Sequence, residues 1–161
     1  MTAPSATWRT PKDWAAAGTL FESDFDDYLS SPLMFLKDPT QDGVRAGTTT
    51  NTTSASFVDI AGVTKTITTN AARARMLFVG SVNLSVAATV GITLLVDGTS
   101  VGDATTGLQY ITRGAGSNDP FCIVFHTVTL TAASHIFKAQ WKTSAGTLTL
   151  QAGWHFEVIE Q

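Results

Sequence analysis

The chain predicts an all-β protein, an antiparallel jelly-roll-type β-sandwich carrying a short, partly helical N-terminal arm. Three observations carry that expectation. From about residue 43 onward Val, Ile, Leu and Phe alternate with Thr, Ser and Ala in short runs, the period of half-buried strands. Turn-forming clusters punctuate those runs at near-regular spacing, with no helical period between them. Ahead of them lies a segment of different texture, holding Trp8, Trp14 and the acidic-aromatic run Asp24-Phe25-Asp26-Asp27-Tyr28-Leu29. The expected organisation is an anchor arm over residues 1–42 and a sandwich body over residues 43–161.

In the arm, Ser23 is a good N-cap and the acids after it sit in the first turn, where the helix dipole favours them. Phe25, Tyr28 and Leu29 recur at i, i+3 and i+4, so one face of a short helix is apolar. Ser31-Pro32 opens a second turn of helix through Leu33, Phe35 and Leu36, and Asp38-Pro39 stops it. Proline inside a continuous helix costs about 3 kcal/mol, which favours two short helices or a kink. Such short helices are marginal alone. Trp8, Trp14, Leu20 and Phe21 add apolar surface that so small a segment cannot enclose. The arm must pack back on its own body or, the preferred reading, on a neighbouring subunit.

Pro39-Thr40-Gln41-Asp42-Gly43 is turn chemistry and marks the boundary. Phe57 to Ile60 and Thr64 to Thr69 read as two strands. Arg75 to Ala87 reads as one long strand with Met76, Phe78, Val82, Leu84 and Val86 on one face and mostly small or polar residues on the other. Ile92, Leu94 and Val96 alternate into Asp97-Gly98, a type I′ hairpin signal. Arg113 to Pro120 is a loop by composition, with Arg113, Asn118 and Asp119 as its exposed contact residues. Phe121 to Leu130 is apolar on both faces in its first half, as in a central strand covered from two sides. From Ser134 to Lys142, Ile136 takes one face and His135, Phe137 and Trp141 the other. Thr143 to Gly146 turns the chain, Thr147 to Gln151 is a short strand, and Trp154 to Ile159 closes the sheet at the tied-down C-terminal end.

Composition narrows the function. Only 14% of the 161 residues are charged, against roughly 25% in ordinary soluble domains, so extensive protein contacts are expected. A net charge of -3 with scattered basic residues gives no footprint for nucleic acid. No apolar run approaches the roughly 20 residues of a membrane span, and no secretory signal opens the chain. Cys122, the single cysteine, reads as a buried, inert thiol.

No cluster looks like an active site, and neither enzyme activity nor a cofactor is expected. His126, His135 and His155 fall on three different strands without the close pairs of a zinc site. The acids Glu22, Asp24, Asp26 and Asp27 answer to the helix dipole, and Asp59, Asp97 and Asp103 to turns. Trp141 and Trp154 suit core or inter-subunit packing better than a sugar-stacking platform.

Across Trp8 to Lys37, the pattern Trp-x-x-Pro-x-x-Trp-x-x-x-Gly-x-Leu, then Asp-Phe and Leu-x-x-Leu-Lys-Asp, resembles the N-terminal segment of many tailed-bacteriophage virion proteins. Where that family's helix usually carries Asn, this chain has Asp26. The body, with Phe57-Val58-Asp59-Ile60, Val96-Asp97-Gly98 and Leu130 to Trp141, resembles the trimeric jelly-roll heads of phage fibres and capsid surfaces, similar in turn to tumour-necrosis-factor-like trimers. The resemblance implies a structural virion protein assembled in the host cytoplasm, a homotrimeric capsid decoration or head-fibre protein. Its arm would attach to other virion proteins. The alternative it implies is a tail-fibre or minor tail protein that binds a receptor or a host-surface glycan.

Overall fold

The computed structural model describes residues 40–45 and 47–161. They form eleven strands: β1 (Gln41–Val44), β2 (Thr50–Thr52), β3 (Val58–Thr68), β4 (Ala74–Leu84), β5 (Ala88–Val96), β6 (Thr99–Ser100), β7 (Gln109–Arg113), β8 (Asn118–His126), β9 (Ser134–Thr143), β10 (Leu148–Leu150) and β11 (His155–Glu160). All pairings are antiparallel, in two sheets. The expected helical arm lies outside the described residues. β1 opens at Gln41, so Gln41 and Asp42, placed with the arm on composition, are paired residues of the body.

The first sheet is built on β4. One edge of β4 pairs β8 from Arg75 to Asn83, while its other edge is shared by β11 and then β10. β1 and β2 extend the sheet beyond β11 and β10. The second sheet runs β3, β9, β5, with β7 and β6 sharing the far edge of β5. Each sheet sends alternate residues inward, and the two inner faces form one apolar core. Phe78 sits in its middle, meeting Phe121, Phe156 and Trp154 edge-on at centroid distances of 4.9, 5.8 and 6.3 Å. Trp154 enters over Gly47, where a Cβ would stand 1.9 Å from its ring, and its indole N–H donates to the Thr48 carbonyl at 2.9 Å.

Met76, Phe78, Val82 and Leu84 share the inner face of β4 as their alternation requires, but Val86 lies past the strand end and is 43% exposed. The two strands expected between Phe57 and Thr69 are one, β3, with a shift of register between Asp59 and Thr64 that absorbs the extra residues around Gly62. The Asp-Gly hairpin is present: Asp97 and Gly98 have φ of 50° and 81°, and Val96 faces Thr99. β9 alternates as read, with Ile136 outward and His135, Phe137 and Trp141 buried.

Two expectations are overturned. Among the described residues β8 pairs with β4 alone and so forms an edge, whereas its apolar run suggests a strand covered on both faces. Its inward residues Phe121 and Ile123 are buried, but Cys122 and Val124 point outward and are exposed, so the thiol is not a core group. The outer face of β4 is also less polar than read, since Leu77 and Val79 stand beside Val124 and Cys122 in the pairing register. The physical reason is common to both: alternation assigns faces, but not whether a second layer covers them.

Candidate functional site

Three surfaces of the sandwich bear on function. The first is the open edge between β7 and β8, where the expected contact loop falls. The connection is only residues 114–117; Arg113 ends β7, and Asn118 and Asp119 begin β8. These ends are held by side chains. Ser117 Oγ donates to Asp119 Oδ2 at 2.9 Å, Arg113 Nε stands 3.7 Å from the same oxygen, and Asn83 Nδ2 donates to Asn118 Oδ1 at 3.2 Å. Behind them lies a recess of about 10 Å³ lined by Val82, Val90, Ile92 and Phe121 together with Gln109 and Arg113, whose buried Oε1 and Nε make no hydrogen bond among the described residues. That volume suits one water molecule and no larger ligand.

The second is a histidine pinned at one end of the sandwich. His135 Nδ1 meets Asp97 Oδ2 at 2.6 Å and its Nε2 meets the Thr131 carbonyl at 3.1 Å. Asp97 Oδ1 also accepts the Ile136 backbone N–H at 2.8 Å. The hydrogen bond to Asp97 is the main cause that raises the His135 pKa, and the same bond lowers that of Asp97. Thr131 Oγ1 lies 3.4 Å from Nε2, which has the outline of a nucleophile, base and acid. The chemistry does not follow. A carbonyl can only accept, so Nε2 carries a proton toward it and is not a free base for the hydroxyl. The arrangement instead clips the β5–β6 hairpin to the start of β9, and through Nε2 ties that start to the Thr131 carbonyl ahead of it.

The third is the outer face of the second sheet. The register places Lys142 of β9 and Tyr110 of β7 on either side of Gly91 in β5. Phe57, just ahead of β3, reaches over the same glycine; a Cβ there would meet its ring at 3.2 Å and the Lys142 chain at 3.0 Å. Lys142 Nζ lies 4.6 Å from the Phe57 centroid and 5.7 Å from that of Tyr110, a cation held between two rings, and it donates to the Thr105 carbonyl. Two residues along, Asp59 accepts from Lys138 Nζ at 2.8 Å and Gln140 Nε2 at 2.7 Å. Those bonds, Lys138 first, hold the Asp59 carboxyl below its usual range. Tyr110 remains 51% exposed.

Of the residues singled out in the sequence, Trp8, Trp14, Leu20, Phe21, Phe25, Tyr28, Leu29, Leu33, Phe35 and Leu36 lie outside the described residues. Arg113, Asn118 and Asp119 come together at the open edge. His126, His135 and His155 are apart: the first two bond Gln161 and Asp97, and the third bonds the Val44 carbonyl. Trp141 and Trp154 are buried, so neither forms a surface platform. The Phe57, Lys142 and Tyr110 cluster was missed, because β7 itself was not foreseen. Its signal was there in Gln109 to Arg113, where Tyr110 is the large residue out of phase with Ile111.

No protein-family model and no curated protein matches the chain. Among solved structures it is similar to a chain in the structure of infectious bursal disease virus Gx strain, at 21% identity and TM-score 0.46, over 75% of this chain and 32% of that one. The CBM36-1 domain of a multidomain xylanase from the hindgut metagenome of Trinervitermes trinervoides matches at 12% identity and TM-score 0.38, over 73% of this chain and 95% of that domain. The enzymatically active domain of bacteriophage CBA120 tailspike protein 4 matches at 13% identity and TM-score 0.29, over 71% and 19%. The chain thus spans about a third of the first of these and a fifth of the last. Likenesses of this order assign no activity, ligand or partner.

Proposed function

We propose that this is a structural virion protein of a tailed bacteriophage, a homotrimeric capsid decoration or head-fibre protein with a jelly-roll-type head, attached to other virion proteins by its N-terminal arm. The observation that carries the reading is the outer face of the first sheet. There the edge strand β8 turns Val124, 52% exposed, and Cys122 to solvent beside Leu77 and Val79 of β4. The stretch Phe121 to Phe125 of this edge and the Leu77 and Val79 beside it form a small apolar patch that favours association; Asp119 and Pro120 blunt the strand's start, and the Arg75–Glu157 pair bounds the patch. β3, whose outer edge is unpaired among the described residues, is guarded over more of its length: its register shift and inward-pointing Lys65, paired with Asp42 at 3.2 Å, work against added strands. A symmetric assembly buries the unguarded face in every copy at once. The resemblance of the arm motifs to phage virion proteins supplies the setting.

Sedimentation equilibrium at micromolar concentration tests the reading, with a trimer expected and a clean monomer rejecting it. Val124→Arg should give a folded monomer, because among the described residues that side chain is 52% exposed and an arginine there meets no clash. Removal of residues 1–38 should leave a folded trimer that no longer enters particles; retained incorporation would remove the arm from its attachment role.

A further inference from the structure

We propose that Asp97-Gly98 is a latent site of backbone isomerisation and that His135, together with the Ile136 N–H, is the guard that keeps it closed. The inference does not rest on the assembly proposed above. Aspartate followed by glycine is the most reactive pair for this chemistry, because no side chain on the second residue shields its backbone nitrogen. The Gly98 nitrogen attacks Cγ of Asp97 and a C–N bond forms. One carboxyl oxygen leaves as water, carrying the amide proton and one proton from solvent, and a five-membered imide ring closes. Water then adds back at either imide carbonyl. Opening at the former main-chain carbonyl leaves the backbone running through the side-chain carbon, one methylene longer and unchanged in mass. Water is the only co-reactant.

The turn supplies this reaction with everything except a mobile carboxyl. Gly98 stands at the open tip of the β5–β6 hairpin, where a Cβ would meet nothing within 4 Å, and the Asp97 side chain is 49% exposed, so water reaches both partners. What is withheld is the swing of the carboxyl onto the Gly98 nitrogen. The Asp97 N–H donates to the Ile136 carbonyl at 2.8 Å, and Asp97 Oδ1 accepts the Ile136 N–H at 2.8 Å. One residue of β9 thus takes both groups, and the carboxyl stands where a strand carbonyl would complete the ladder pair. That draws it back beside its own N–H, whereas ring closure needs it swung forward onto the next nitrogen. Asp97 Oδ2 meets Nδ1 of His135, which is buried and bonded to the Thr131 carbonyl, so the second oxygen is fixed to an immobile ring. These bonds, that to His135 first, lower the Asp97 pKa and keep the carboxyl ionised, and a carboxylate is a poor electrophile. Positive φ at Asp97 is common to hairpins of this type; the two-point hold on its carboxyl is particular to this one. An extra methylene here would break the Val96–Thr99 pair and take the carboxyl from His135.

The test ages the full chain at physiological temperature and neutral pH, counts isoaspartate by enzymatic methylation and locates it by peptide mapping. The same chain unfolded in guanidinium gives the unguarded rate. Isomerisation at Asp97 is expected to be about tenfold or more slower in the folded protein than in the unfolded one, and about tenfold or more faster in His135→Ala than in wild type. Because His135→Ala also removes packing, Gly47→Ala serves as the second variant: it destabilises the fold beside Trp154, leaves the hold on Asp97 intact, and should isomerise at close to the wild-type rate. His135→Asn, which places a donor near the position of Nδ1, should restore most of the protection; a rate like that of His135→Ala supports the guard and assigns it to the charge of the ring. Wild type isomerising as fast as the unfolded chain overturns the proposal. So does a His135→Ala rate equal to wild type, which leaves protection to the turn alone, or a slower one, which makes the imidazole a promoter. Gly47→Ala as fast as His135→Ala makes unfolding the route and overturns it as well.

Discussion

Replacing Asp97 by Asn isolates what the His135 pin contributes. The substitution keeps the hairpin, because Asn-Gly tolerates the positive φ values of 50° and 81° as well as Asp-Gly does, and it keeps an oxygen for the Ile136 N–H. It removes the charge facing His135 at 2.6 Å. A charge-assisted bond contributes about 1.5 to 3 kcal/mol, but Asp97 is 49% exposed and water screens it, so about 1 kcal/mol is the expected loss. For a body of this size that lowers Tm by roughly 4 °C.

The pH dependence is more decisive than the size. His135 has its pKa raised in the fold, so its share of stability is fully present below the unfolded value of about 6.5 and fades as pH rises through the folded value. Asp97 has its pKa lowered, so its share is present above about 3.8 and is lost as pH falls through the folded value. Melting curves of wild type and Asp97→Asn should therefore lie furthest apart at about pH 5 to 6 and converge toward alkaline pH. A gap that stays constant from about pH 5 to 9 would mean a neutral imidazole and would refute the reasoning.

Gly47→Ala would set a methyl 1.9 Å from the Trp154 ring, and about 3 kcal/mol or more should be lost in urea unfolding followed by tryptophan fluorescence. Glu160 is buried at the end of β11 and accepts from the Asn70 backbone N–H, with Asn70 Nδ2 at 3.3 Å from its other oxygen. Glu160→Leu strips that N–H of its acceptor and should cost about 2 kcal/mol, whereas Glu160→Gln, which keeps one, should cost less in the same assay. Cys122 should react readily with a thiol reagent in the Val124→Arg monomer and slowly in the assembled protein; equal rates would show that assembly leaves this face open.

Much of the body is legible in the chain because the side-chain period of a strand is two and a buried face must be apolar throughout. Met76, Phe78, Val82 and Leu84 announce their strand in this way, and His135, Phe137 and Trp141 theirs. The Asp97-Gly98 turn is written in residue types that accept positive φ. The short strands β1, β2, β6 and β7 are not legible: two to five residues carry too little periodicity, and pairing with longer neighbours makes them strands.

The sequence alone determined an all-β body, its inward residues and its main hairpin, since these follow from local backbone preference and from keeping apolar groups out of water. Tertiary structure decided which strands end up at edges. It turned Cys122 and Val124 to the exposed side of β8, brought Asp97 to His135 from 38 positions away, and gathered Phe57, Tyr110 and Lys142 over Gly91. Those outcomes depend on strand order, a property of how distant segments pair, and no local pattern of residues encodes it.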